Sequence, residues 1–205
     1  MSHPPTGDLV RELLYALLQR AQARGALSPP LTSVKWYNWL SVESPTRCKA
    51  CADLHGKIYS AAQADAMRSA HPPIPPLHPC CHCRIVPLRA LRAGTATELE
   101  EMGADWYLLY YGRLPDYYIS KKTARELGWV SRFGNLSTVA PGKSIFGGEF
   151  YNNKGKLPCK PGRKWFEADI NYRGGFRGTE RILFSNDGLI FVTYDHYETF
   201  IEVIE

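Results

Sequence analysis

Long apolar runs are missing from this chain. None of its 205 residues belongs to a stretch long enough to span a membrane as a helix, and the N-terminus carries no apolar run flanked as in a signal peptide. No membrane partner is expected, and export, if it occurs, is expected to rely on another carrier. Cysteine is scarce and badly spread for a disulfide scaffold. Of the six, Cys48, Cys51, Cys80, Cys81 and Cys83 fall close together and Cys159 stands alone. A disulfide framework would distribute them through a short secreted chain; clustering points instead to metal and a reducing environment. Internal repeats and low-complexity tracts are also absent. So is an acidic excess: 25 Lys and Arg against 20 Asp and Glu leave a formal charge of +5. That balance favours a polyanionic partner without identifying it.

What is present reads as two regions behind an N-terminal helix. Over residues 8–24, Leu9, Leu13, Leu17 and Ala21 recur at helical intervals, and Gly25 followed by Pro29 and Pro30 ends the run. Residues 34–42 alternate and are aromatic, as in a strand. The prolines of 72–79 exclude regular structure there, and 88–97 reads as a connector. A helical stretch is expected over 98–111. A second helix is capped by Ser120 and stopped at Gly128. Arg181-Ile182-Leu183-Phe184-Ser185 and Leu189-Ile190-Phe191-Val192-Thr193 flank Asn186-Asp187-Gly188, a hairpin signal. Residues 200–204 read as a last strand. Helices first and hairpin-linked strands afterwards imply an α+β fold with the helices packed on an antiparallel sheet. The expected domains are 1–30, an N-terminal helix; 31–92, a cysteine-rich leader; and 93–205.

Five charged residues in the C-terminal half supply the parts for cleaving RNA without a metal. Attack by the substrate's own 2′-hydroxyl needs a base for that proton, an acid for the leaving 5′-oxygen, and cations for the phosphorane between them. Glu167 suits the base and His196 the acid, since an imidazole ordinarily titrates near ~6.5. Lys121, Arg177 and Arg181 suit the phosphate, arginine by forked donation and lysine as a point charge. Taken singly, a Glu or Arg at a strand end is usually a solvated charge, and a His before an aromatic is usually structural.

Longer words join these residues. Leu114-Pro115-Asp116, Leu127-Gly128-Trp129-Val130, Gly134-Asn135-Leu136, Val139-Ala140-Pro141-Gly142-Lys143-Ser144-Ile145, Gly155-Lys156-Leu157-Pro158, Glu167-Ala168-Asp169-Ile170-Asn171-Tyr172 and Asp195-His196-Tyr197 occur in order. With them the C-terminal half resembles the barnase family of ribonucleases. The resemblance implies Glu167 as general base and His196 as general acid. It also implies Lys121, Arg177 and Arg181 as phosphate contacts, Tyr197 in the same pocket, no metal for catalysis, and a 2′,3′-cyclic phosphate product. It places base recognition at Asn152, Asn153 and Lys154. The family has a glutamate where this chain has Lys154, and lysine has no acceptor, so relaxed guanine preference is expected. A small acidic immunity protein related to barstar is the implied partner besides RNA.

The cysteines form two claws, Cys48-x-x-Cys51 and Cys81-x-Cys83, with His78 nearby. Zinc takes such thiolate and imidazole ligands in a closed tetrahedral site, and a small proline-rich domain gains stability from one. Cys80 or His82 could replace a named ligand. Arg47-Cys48-x-x-Cys51-x-x-Leu54-His55-Gly56-Lys57 and Pro75-Pro76-Leu77-His78-Pro79-x-Cys81-x-Cys83 resemble the phage Mu F-like minor head protein domain. That resemblance implies a virion or polymorphic-toxin context, in which an exported or virion-delivered toxin acts in the target-cell cytoplasm. The alternative from another class is a non-catalytic phage structural protein whose C-terminal half only binds RNA.

Overall fold

The computed structural model describes residues 35–41, 48–70, 74–78 and 81–205; the helix expected over 8–24, the segment 1–30 and Cys80 lie outside them. The chain divides into two compact units. The smaller is formed within Pro29–Arg89 and Tyr151–Arg163; the larger includes Ala90–Phe150 and Lys164–Glu205. The break thus falls between Arg89 and Ala90 rather than after 92.

In the smaller unit, β1 (Trp36–Leu40) lies between β2 (Ile58–Ser60) and β3 (Arg84–Pro87), antiparallel to both. Helix α1 (Lys49–Leu54) begins at Cys48, whose Sγ accepts the Cys51 N–H at 3.4 Å. Helix α2 (Ala61–Ser69) opens with a capping box in which Ser60 and Gln63 satisfy each other's backbone N–H groups. Trp39, Cys51, Tyr59 and Cys83 are its buried centre. Residues 151–163 belong here because backbone pairing brings them in: Ile58 N–H donates to the Lys156 carbonyl at 2.8 Å. Leu157 is buried, and the Asn152 amide clamps it at both N–H and carbonyl, at 3.1 and 2.8 Å.

The larger unit is a seven-stranded sheet in the order β4-β10-β9-β8-β7-β6-β5. These strands are β4 (Ala90–Arg92), β5 (Tyr118–Ser120), β6 (Ser144–Phe150), β7 (Trp165–Asp169), β8 (Arg181–Ser185), β9 (Ile190–Thr193) and β10 (Ile201–Ile204). From β6 to β10 neighbours run antiparallel; β5 and β4 add a parallel strand at each edge. The helix expected over 98–111 is interrupted by Gly103. A 3-10 turn (Glu100–Met102) precedes α3 (Ala104–Tyr111), which ends on left-handed Gly112. Helix α4 (Lys121–Glu126) follows the expected Ser120 cap, whose hydroxyl accepts Thr123 N–H at 3.0 Å. Helix α5 is Leu136–Val139. The 88–97 connector contains β4, an edge strand paired with β10.

The two faces of this sheet differ, because side chains alternate along a strand. One carries Ala168, Ile182, Ile190 and Val192, packed with Ala104 and Leu108 of α3 in the main core. The other carries Glu167 and Asp169 of β7. Asp169 lies opposite Arg181 of β8, which in turn lies opposite Thr193 of β9. Buried Asp105 holds the turn before α3, accepting from Gly94 N–H (2.8 Å), Ala96 N–H (2.9 Å) and the Thr97 hydroxyl (2.8 Å).

Candidate active site

The charged residues of the C-terminal half gather on the polar face of the sheet. Glu167, at the centre of β7, is partly buried and receives a hydrogen bond from the Tyr197 hydroxyl at 2.6 Å. Lys121, at the start of α4, sets its ammonium 3.5 Å from the other carboxylate oxygen. Burial and the bond to Glu167 push the Tyr197 phenol well above its ordinary range, so it remains a donor. His196 precedes Tyr197 and is exposed; its ring meets the Tyr197 ring at 4.9 Å. Tyr197 therefore touches the proposed base with its hydroxyl and the proposed acid with its ring. It also stacks on Phe150 at 5.2 Å.

The turn bearing His196 is strained and strongly held. His196 and Tyr197 both take positive φ, at 57° and 71°, a conformation that costs non-glycine residues of order 1–3 kcal/mol each. Asp195 compensates. One of its oxygens accepts from the Thr193 hydroxyl (2.9 Å), Glu198 N–H (3.1 Å) and Thr199 N–H (2.9 Å). Thr193 itself accepts Tyr197 N–H at 2.9 Å.

The two arginines converge on Asp169, a residue the sequence reading passed over. Arg177 grips it with two donors, at 2.5 and 2.7 Å, and this pairing raises the guanidinium pKa. Arg181 Nε lies 3.0 Å from Asp169 Oδ1 but off the hydrogen-bonding line, so that contact is ionic. Its Nη1 donates to the carbonyls of Gly178 (2.8 Å) and Glu180 (2.7 Å). Two cations and one anion leave a local positive excess. The signal available in the sequence was spacing: Glu167 and Asp169, two apart on a strand, share a face.

Gly147 is the second residue missed. It sits at the register shift in β6, next to Gly148, which pairs with Glu167. A Cβ there would lie 2.8 Å from the Glu167 carboxyl carbon, so any side chain would displace the carboxylate.

Asn152, Asn153 and Lys154 lie in the smaller unit. The Asn152 side chain is occupied in the Leu157 clamp, and Gly155 N–H donates to the Asn152 carbonyl at 2.8 Å. In the same unit Cys48, Cys51 and His78 bring their ligand atoms together, as do Cys51, Cys81 and Cys83. Cys48 Sγ and Cys51 Sγ are 3.1 and 3.2 Å from His78 Nε2, and Cys51 Sγ is 3.7 Å from Cys81 Sγ. Cys51 belongs to both trios, so the five form one connected cluster. Thiolates and imidazole suit zinc, which takes four of them. His82 is exposed and stands outside both trios.

Comparison with known proteins places the C-terminal half in a family. Residues 109–204 match the ribonuclease family profile. The chain is 56% identical over 97 residues to a ribonuclease of Heyndrickxia coagulans, covering 47% of this chain and 89% of that protein. It is equally identical to ribonucleases of Bacillus intermedius and Bacillus pumilus, of each of which it spans 60%. The matched span includes positions 121, 167, 177, 181 and 196, and through this half the chain belongs to the ribonuclease family.

Proposed function

We propose that this endoribonuclease cleaves single-stranded RNA in two steps without a catalytic metal. Glu167 takes the proton of a 2′-hydroxyl, whose oxygen attacks the adjacent phosphorus. The bond to the 5′-oxygen breaks as His196 gives that oxygen a proton, leaving a 2′,3′-cyclic phosphate. Water then opens the ring with the two roles reversed, Glu167 returning its proton and His196 taking one from water. Lys121, Arg177 and Arg181 stabilise the phosphorane, whose charge develops where their donors already stand. Asp169 orients the two arginines. The observation that carries this reading is Tyr197, whose hydroxyl bonds Glu167 at 2.6 Å while its ring packs on His196.

Incubation with RNA and with DNA in EDTA tests it. Cyclic-phosphate ends are expected on RNA alone, because DNA lacks the nucleophile. Normal turnover by His196→Ala would exclude the assigned acid.

The same reading extends to the whole chain as a toxin, exported or virion-delivered, acting in the cytoplasm of a target cell. Its leader would be the phage Mu F-like module and its partner a barstar-like acidic immunity protein, attracted by the cations around the phosphate site. Zinc held by four of Cys48, Cys51, His78, Cys81 and Cys83 would stabilise that leader; the donor types and their proximity support this. Lys154 would relax guanine preference, which a cleavage map on an RNA of all four nucleotides would test.

A further inference from the structure

Two large aromatic rings stand in solvent on turns beside the phosphate-binding arginines. Phe133 is 62% and Phe176 71% exposed. Their turns touch backbone to backbone: a Cβ on Gly134 would lie 2.9 Å from both the Gly175 carbonyl carbon and the Phe176 nitrogen. Only glycine permits this approach, and Gly134 and Gly175 both take positive φ, at 60° and 72°. Both turns are braced. Asn135 accepts Val130 N–H at 2.8 Å and donates to the Gly128 carbonyl at 3.1 Å, while the Tyr172 hydroxyl donates to the Gly175 carbonyl at 3.0 Å. The Arg132 guanidinium lies 4.8 Å from the Phe133 ring centre. Phe176 directly precedes Arg177, which the mechanism places at the phosphate.

A rigid exposed ring with a guanidinium against it, carried on a turn that abuts the phosphate contacts, has the chemistry of a single-strand stacking platform. Bases stack on such rings without sequence preference, and the cation meets the backbone phosphate. We propose that Phe133, with Arg132, is a stacking subsite for an RNA nucleotide beyond those flanking the scissile phosphate. Phe176 marks its continuity with the active site. This rests on the ribonuclease reading above and adds a substrate-length preference to it.

The test compares a dinucleotide with a tetranucleotide in wild type, Phe133→Ala and Phe133→Trp. Phe133→Ala should lower kcat/KM on the tetranucleotide about tenfold, through KM, and leave the dinucleotide unchanged; Phe133→Trp should restore it. Binding of a 2′-deoxy tetranucleotide, which cannot be cleaved, should weaken by the same factor. That readout separates a wrong subsite from wrong catalytic residues, because it needs neither acid nor base. Equal losses on both substrates, or no loss in cleavage and binding on the longer one, would overturn the subsite and leave the rings to a protein partner.

Discussion

The two units are held together by different means. The ribonuclease unit has a wide sheet with a filled apolar face: Ala168, Ile182 and Val192 have no exposed surface. Its polar face can therefore carry a charged site, including a buried aspartate between two arginines, without losing the fold. The cysteine-rich unit has three short strands and a buried centre in which two of four residues are cysteines. Small cores of that kind are commonly completed by a metal. The difference teaches that here the charged face is set by strand register, whereas the smaller unit gathers thiol and imidazole ligand atoms at its centre.

The sharpest way to break this contrast is in the ribonuclease unit. His196→Ala should reduce kcat/KM on RNA by about 10²–10⁴-fold with unchanged thermal unfolding. A fall in melting temperature of matching severity would make His196 a structural residue instead. Asp169→Asn should destabilise by about 3–5 kcal/mol, since it strips a buried partner from Arg181 and Arg177; denaturant unfolding reads this directly. Gly147→Ala should lower kcat by up to about 10²-fold by shifting Glu167, with little change in KM. A variant with full kcat would show that the carboxylate tolerates displacement.

The cysteine-rich unit provides the smallest expected effect on catalysis. Purified reduced protein should hold about one zinc per chain, lost in Cys51→Ser. Its removal should change the fluorescence of buried Trp39 while kcat on a dinucleotide stays the same. Absence of metal from freshly purified protein would refute the zinc proposal. Loss of turnover in step with zinc would erase the contrast itself.

Much of the fold was legible because its signals are local. Ser120 and Gly128 bound a helix through their own capping chemistry, and Asn186-Asp187-Gly188 turns a hairpin between β-rich runs. Charged types and the words around them singled out residues that gather on one face of the sheet. What stayed hidden depends on distant partners. Strand β4 has three residues, too few for alternation to show, and exists through pairing with β10 at the far end of the chain. Asp169 gains meaning only from arginines on other segments. Gly147 matters because of what lies across the sheet. Gly155-Lys156-Leu157-Pro158 read as a word of the C-terminal half, yet the Lys156 carbonyl pairs with Ile58, nearly a hundred positions earlier.

That last pairing has a consequence for how the molecule comes apart. Among the described residues the polypeptide passes between the units at 89/90, 150/151 and 163/164. A protease nicking after Arg89 would sever the peptide yet leave both fragments laced together, since the later one supplies the Lys156 carbonyl and Leu157 to the earlier one's fold. Such a nicked sample should elute as one species from a sizing column and separate only in denaturant.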